Sequence, residues 1–277
     1  MSPAIHNAAF AQAGLDAVYV PLRVEAGPGC FDRFMDAVMA APWADFRGLS
    51  VTIPHKEAAF ARVGAANLDE LSRRIGAANT IRIEPAGGDA GATLRGWNTD
   101  YAGAIDALCG GMGIAREGLA GRTVAVLGAG GVARALVAAL AYYDARVTVY
   151  NRTLARGERL AEEFGAAAAA LEGLDRLQAE IVINCTSLGM HPSVDDTPLP
   201  RAALPNVRVV FDTIYNPIET RLLREARAAG CRTVSGLEMF VNQAAAQFEL
   251  WTNCPAPRKL MRGVVMQRLQ PHETADR

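Results

Sequence analysis

The sequence predicts an α/β protein whose second half is a doubly wound parallel sheet, and three observations carry that prediction. Thr123-Val124-Ala125-Val126-Leu127 is an apolar run that ends in the turn Gly128-Ala129-Gly130-Gly131 and passes straight into the small, helix-favouring residues 133–141, the order of strand, tight loop and helix N-terminus. Short apolar runs recur at 146–150, 181–184 and 207–212 with helical spacing between them, the rhythm of a parallel sheet. The chain has 277 residues, of which 51% are apolar, long enough for a large core and most naturally for two domains.

The formal net charge is −1, and no basic cluster offsets it, which argues against a nucleic-acid surface. The longest apolar stretches, such as 133–143, fall short of the roughly 20 residues a membrane span needs. Met1-Ser2-Pro3-Ala4-Ile5-His6-Asn7 has neither a basic segment nor a long apolar one, so it does not read as a signal peptide and a cytoplasmic protein is expected. Cys30, Cys109, Cys185, Cys231 and Cys254 are odd in number and lack C-x-x-C spacing. They read as reduced packing residues, with no metal site expected.

Taken in order, residues 4–13 suit a helix ended by Gly14, and 17–20 a short strand stopped by Pro21, which starts a βα rhythm. Residues 30–41 read as a helix, 48–53 as a buried strand broken at Pro54, and 68–75 as a helix. Two extended runs, 79–84 and 93–97, flank the glycine-rich 85–91 and predict a hairpin. Asn98-Thr99-Asp100 caps a helix toward Leu108, and Cys109-Gly110-Gly111-Met112-Gly113 marks a boundary. In the second half, the alanines of 166–170 read as compositional bias, Thr233-Val234 as a last short strand, and 236–251 as a helix returning to the first half. The polar tail beyond Gln270 is expected to be disordered.

The turn after Leu127 has the chemistry of a pyrophosphate site. Gly128 permits the sharp turn, Gly130 lets backbone approach phosphate, and Ala133 allows close helix–strand packing, while the N–H groups of Ala129 to Val132 lie at the positive end of the helix dipole. Glycine-rich turns also end strands for steric reasons alone, so the flanking strand and helix carry the reading.

Polar residues mark the ends of the first-half strands, where ligands bind in open α/β sheets: Thr52 with Lys56, Asn79 with Thr80, and Asn98 with Asp100. Each has a plainer reading. A lysine past a strand is ordinarily a solvated charge, Asp100 a first-turn helix residue and Asn79 a turn residue.

Ser2-Pro3-x-x-His6-Asn7, Val51-Thr52-Ile53-Pro54-His55-Lys56, Gly76-Ala77-Ala78-Asn79-Thr80, Gly96-Trp97-Asn98-Thr99-Asp100, Gly128-Ala129-Gly130-Gly131, Asn151-Arg152-Thr153 and Gly236-Leu237-Glu238-Met239-Phe240-Val241-x-Gln243-Ala244 together resemble the shikimate dehydrogenase family. They stand in the family's order over nearly the whole chain. Gln247-Phe248-Glu249 and Pro255-Ala256-Pro257 look most like the dehydrogenase half of fused dehydroquinate dehydratase–shikimate dehydrogenase proteins, so a dehydratase fused to this chain or working beside it is an expected partner.

The resemblance implies reversible reduction of 3-dehydroshikimate to shikimate with NADPH. Carried over position by position, Lys56 and Asp100 are the catalytic pair, and Ser2, Thr52, Asn79, Tyr215 and Gln243 hold the carboxylate and hydroxyls of a small-molecule substrate. Hydride reaching a ketone leaves an alkoxide that must gain a proton, a task that suits a lysine held by an aspartate. His55 is the competing proton carrier by residue type. About 20 residues past the glycines, where NAD-binding chains carry an acid, the sequence is Asn151-Arg152-Thr153 with Arg156 one turn on. Permanent positive charge there favours the 2′-phosphate of NADP, unless both arginines are ordinary surface charges. Thr213 and Gly236 are placed near the nicotinamide end by the same carry-over.

These readings predict a substrate-binding domain at 1–109, with 239–277 packing back on it, and a Rossmann-type NADP-binding domain at 110–238. The family's first strand and a further serine precede its Ser-Pro motif, so the first strand is expected to be missing from this chain. The alternatives are an NAD-using quinate/shikimate dehydrogenase and a catalytically idle ligand-sensing relative.

Overall fold

The computed structural model describes residues 1–84 and 92–269. They form two compact units, Ser2–Thr99 with Ala244–Pro257, and Asp100–Gln243 with the chain from Arg258 on. The change of unit thus falls at Thr99/Asp100, where 109/110 was expected. The predicted turn at 85–91 and tail beyond Gln270 lie outside the described residues.

The first unit holds α1 (Ser2–Gln12), α2 (Cys30–Met39), β1 (Gly48–Ser50), α3 (Lys56–Val63), α4 (Glu70–Ile75), β2 (Thr80–Glu84) and β3 (Thr93–Trp97). The strands make an antiparallel sheet in the order β1-β2-β3, with Ser50 opposite Thr80 and Thr80 opposite Trp97. Its core gathers Phe31 and Met35 of α2, Ala59 and Val63 of α3, and Ile81 of β2. Capping decides where α4 begins and ends. The Asp69 carboxylate accepts from Ser72 N–H at 3.0 Å, and Gly76, at φ +70°, donates to the Ser72 carbonyl at 3.0 Å, so the chain leaves the helix directly toward Asn79.

Three expectations for this unit are corrected. Residues 17–20 form no strand: Val18 and Val20 are 73% and 51% exposed, and the backbone of Tyr19 is held instead by Asn7, whose Nδ2 donates to the Tyr19 carbonyl while its Oδ1 accepts from Tyr19 N–H. An apolar run becomes a strand only when a ladder partner is present. The strand expected over 48–53 stops at Ser50, because the Thr52 carbonyl turns to accept from His55 N–H at 3.0 Å and Ile53 is 74% exposed. The sheet is accordingly antiparallel here rather than a βα repeat.

The second unit begins with α5 (Thr99–Met112) and continues through β4 (Thr123–Leu127), α6 (Gly131–Tyr142), β5 (Arg146–Asn151), α7 (Leu154–Phe164), β6 (Ala167–Ala170), β7 (Ile181–Asn184), β8 (Val209–Asp212), α8 (Arg221–Ala228), β9 (Arg232–Ser235), α9 (Gly236–Thr252) and α10 (Arg258–Leu269). The second half of α9 belongs to the first unit. All six strands are parallel, in the order β6-β5-β4-β7-β8-β9. Every residue of β7 and β8 is buried, as strands covered on both faces require. The chain winds outward from β4 to β6 and then returns to β7, so the switch point lies beside β4, the position where such sheets bind ligands.

Two further expectations change. Gly110 and Gly111 do not end a helix: α5 runs on to Met112, and since a Cβ on Gly111 would lie 2.4 Å from Val234 Cγ2, that glycine serves close packing. The alanine run forms β6, with Ala167 opposite Thr148 and Ala170 opposite Asn151; the ladder overrides a residue type with little strand preference. Among the described residues, no helix is long and apolar enough to cross a membrane.

Candidate functional site

In the second unit, the site is built on backbone. Gly128 leaves β4 at φ +104°, and its N–H donates to the Tyr150 carbonyl at 2.7 Å. A Cβ on it would meet Thr186 Cγ2 at 3.2 Å and the Cys185 backbone at 3.3 Å; both conformation and space call for glycine. Gly130 is the N-cap of α6 and supplies no side-chain cap, and a Cβ added at Gly130 or Gly131 would meet nothing within 4 Å. The turn therefore presents open space to the uncapped first N–H groups of a twelve-residue helix, through Ala129, Gly130, Gly131 and Val132. Ala133 is fully buried beneath it. That is a fit for the pyrophosphate of a dinucleotide.

At the end of the adjacent strand, Asn151 Nδ2 donates to the Thr153 carbonyl at 2.8 Å, and Arg156 N–H donates to the same carbonyl at 2.9 Å, which folds Arg152 and Arg156 onto one exposed corner at the start of α7. Arg134 pairs with Glu163, and Arg221 with Glu225; Arg152 and Arg156 have no ion pair among the described residues. Unpaired guanidinium charge at this corner fits a 2′-phosphate.

The ends of β7 and β8 carry a buried network that sequence reasoning missed. Asn184 Nδ2 donates to Asp212 Oδ1 at 3.0 Å, and Asn184 Oδ1 accepts from Thr186 N–H and Oγ1 at 2.9 and 2.7 Å. Asp212 also accepts from Ile214 N–H at 3.1 Å and from Thr220 Oγ1 at 2.6 Å. Burial pushes the Asp212 carboxyl up, with the Thr220, Ile214 and Asn184 hydrogen bonds opposing. The network holds Thr186 against Gly128 and the 213–214 segment against Gly236, where a Cβ would lie 2.3 Å from the Thr213 carbonyl oxygen. Thr213 and Gly236 are thus brought together. Tyr215 stacks on Phe240 at 4.9 Å, while the backbone N–H of Gln243 lies 2.7 Å from where a Cβ on Gly103 would stand. Asp100 occupies the first turn of α5, where the helix dipole favours the carboxylate. The signal for Asn184 and Asp212 was available: each is a polar residue closing a buried strand.

In the first unit, Ser2 opens α1, Thr52 is exposed in the turn after β1, and Lys56 opens α3. Ala78 N–H donates to the Lys56 carbonyl at 3.0 Å, which ties the start of α3 to the segment carrying Asn79. Asn79 Oδ1 accepts from Thr99 N–H at 2.7 Å, Thr99 Oγ1 at 3.1 Å and Thr80 Oγ1 at 2.8 Å. Asn98 does not project as a ligand; its Nδ2 donates to the Ala77 carbonyl at 3.1 Å and its N–H to Ser72 Oγ at 2.7 Å. His55 Nε2 donates to the Val24 carbonyl at 3.1 Å, with the ring stacked 5.7 Å from Phe31, so one of its nitrogens is committed to structure.

Family models match as the shikimate dehydrogenase substrate binding domain over residues 1–81, as shikimate / quinate 5-dehydrogenase over 114–217, and as the shikimate 5′-dehydrogenase C-terminal domain over 236–266. The chain is 41% identical to the shikimate dehydrogenase (NADP(+)) of Methanosarcina acetivorans, over 98% of this chain and 94% of that protein. It is also 41% identical to the chloroplastic bifunctional 3-dehydroquinate dehydratase/shikimate dehydrogenase of Arabidopsis thaliana, over 94% of this chain and 43% of that one, so the archaeal and plant relatives are equally close. The shikimate 5-dehydrogenase of Thermus thermophilus, solved with NADP(H) and shikimate, superposes with a TM-score of 0.76 at 35% identity, over 96% of this chain and 94% of that one.

Proposed function

We propose roles for these residues from the family to which the chain belongs, that of the shikimate dehydrogenases. The chain is an NADP-dependent oxidoreductase that interconverts 3-dehydroshikimate and shikimate. Bound at the turn after β4, NADPH supplies the hydride. The N–H groups of Ala129, Gly130, Gly131 and Val132 cradle the pyrophosphate with Ala133 packed beneath them, Asn151, Arg152, Thr153 and Arg156 take the adenosine end with its 2′-phosphate, and Thr213 and Gly236 line the nicotinamide end.

Lys56 gives the proton to the oxygen that was the ketone, and Asp100 is its carboxylate partner. Lys56 is thus the acid in reduction, and in the reverse direction its amine takes the hydroxyl proton back. Ser2, Thr52, Asn79, Tyr215 and Gln243 hold the substrate's carboxylate and hydroxyls. A cytosolic location and a dehydroquinate dehydratase acting beside this chain accompany the reading; the Arabidopsis relative, in which both activities share one polypeptide, supports the second.

The observation that carries the reading is that substrate-binding and dehydrogenase matches fall in one chain that also keeps an uncapped glycine turn beside unpaired arginines. The test is reduction of NADP with shikimate, run beside NAD and quinate. NADP with shikimate should give the highest kcat/KM; a higher value with NAD and quinate would favour the alternative enzyme, and no turnover with any pair would leave the ligand-sensing one.

A further inference from the structure

His6 in α1 has no exposed surface, and neither ring nitrogen has a hydrogen-bond partner of regular geometry among the described residues. The ring stacks on Tyr19, with centroids 4.9 Å apart and planes 6° from parallel, and meets Trp251 at 5.2 Å. Trp251 Nε1 donates to the Ile81 carbonyl at 3.0 Å, across a gap kept open by Gly48, where a Cβ would lie 2.3 Å from that nitrogen. A phenyl ring would satisfy these aromatic contacts at no desolvation cost. An imidazole buries a donor and an acceptor, so its presence needs a further reason.

A second buried orphan supplies one. Gln247 stands four residues before Trp251 on α9, one turn along the helix face that meets the His6 ring; it is fully buried, its Oε1 has no partner of regular geometry, and its side chain acts on the ring in the sense expected of an amide oxygen facing a ring N–H. The other end of the amide is fully engaged. Gln247 Nε2 donates to Ser50 Oγ at 3.0 Å and to Thr80 Oγ1 at 3.1 Å. Thr80 has one hydroxyl proton, which goes to Asn79 Oδ1 at 2.8 Å, so its oxygen must accept from Gln247. Turning the Gln247 amide over would set an oxygen against Thr80 and break this order. With Thr80 and Thr99 both donating to Asn79 Oδ1, the Asn79 NH2, which makes no hydrogen bond among the described residues, is the end left for a ligand.

We propose that His6 is a positioning residue for substrate binding: its ring N–H holds the Gln247 amide in the orientation that sends the Thr80 hydroxyl to Asn79, so that the Asn79 NH2 is presented to a substrate oxygen. The proposal rests on the reading of Asn79 as a substrate ligand. All groups of the chain, His6, Gln247, Ser50, Thr80, Asn79 and Thr99, lie in one compact unit.

The test compares KM for shikimate, kcat and NADP affinity in the parent, His6→Phe, His6→Asn, Thr80→Val, Asn79→Ala and the double variant His6→Phe/Asn79→Ala. His6→Phe keeps the stack and loses the N–H; it should raise KM about 3- to 10-fold, the scale of one hydrogen bond, with kcat and NADP affinity within about threefold. His6→Asn, which restores an N–H donor, should recover part of the loss. In the Asn79→Ala background the His6→Phe penalty should vanish, because the two act through one chain; a merely structural ring would add its penalty in full. Additive penalties, or a KM in His6→Phe within twofold of the parent, would overturn the proposal. Thr80→Val leaves the buried ring untouched and should raise KM likewise, so an unchanged value there overturns the proposal whether or not the His6 variants fold. An unchanged KM in Asn79→Ala would instead overturn the reading of Asn79, and the proposal with it.

Discussion

The N–H of Gly128 donates to the carbonyl of Tyr150 at 2.7 Å, so the turn after β4 and the end of β5 are joined by one backbone hydrogen bond. The turn offers N–H groups to a pyrophosphate, and the residues that follow Tyr150 offer permanent positive charge. The strand register fixes the spacing of these two places, with Leu127 opposite Tyr150, as the proposed binding of a dinucleotide with a 2′-phosphate requires.

Arg152→Ala should weaken NADP binding roughly 10- to 100-fold, the scale of a lost hydrogen bond to a charged group, while NAD affinity stays within about threefold. Equilibrium titration with each cofactor checks this. Equal losses for both would mean that Arg152 supports the fold or the shared part of the cofactor.

Lys56→Ala should lower kcat by at least about 100-fold, the scale of losing a positioned acid, with NADP affinity unchanged. Steady-state rates across a pH series, paired with a cofactor titration, make the measurement. A kcat within a few-fold of the parent removes Lys56 as the proton donor.

Two glycines should separate folding from binding. At Gly236 a Cβ would lie 2.3 Å from the Thr213 oxygen and 2.5 Å from the Ile214 oxygen, both backbone atoms, so Gly236→Ala should cost about 1–3 kcal/mol of stability. At Gly130, where nothing lies within 4 Å and φ is −91°, alanine should leave unfolding free energy within about 0.5 kcal/mol yet fill the cradle and weaken NADP at least about tenfold. Urea unfolding and cofactor titration of both variants decide it; the reverse pattern would refute the assignment of the cradle.

His6 adds a pH dependence to stability. Burial lowers its pKa from 6.5 to about 4, with the Gln247 side chain opposing. The unfolded chain therefore binds a proton between pH 6.5 and 4 that the folded chain does not. The stability this group contributes is fully present above pH 6.5 and is lost as pH falls through the folded value near 4, by up to about 3 kcal/mol. His6→Phe removes the titrating group, so its urea midpoint should fall less between about pH 7 and pH 4 than that of the parent. Parallel pH profiles would show that position 6 contributes nothing to the acid limb.

Local features of the chain were legible in the sequence because their causes are local. The run Thr123–Leu127, the glycines after it and the small residues of α6 specify strand, turn and helix within one short stretch, and Asn151-Arg152 follows at a distance set by one βα unit. Lys56, Asp100 and Asn79 were visible as polar residues where apolar runs end. Asn184, Asp212 and Gln247 were equally present as residue types, but their partners are remote in sequence: Asn184 meets Asp212 28 residues on, and Gln247 meets Thr80 167 residues back.

Sequence was enough for the parallel sheet, the glycine turn after β4, the arginines after β5 and, through the motifs, the family. Which extended runs become strands, and which polar residues face one another, depends on contacts made across the fold. Val18 and Val20 have better strand chemistry than Ala168 and Ala169, yet only the alanines pair, because β5 lies beside them and no described strand lies beside the valines. Gly111 reads as a helix breaker until Val234 fills the space a side chain would take. Asn79 has the composition of a turn residue, and it becomes an oriented amide through Thr80, Thr99 and Gln247, since hydrogen-bond direction is a property of the assembled network and not of any one residue.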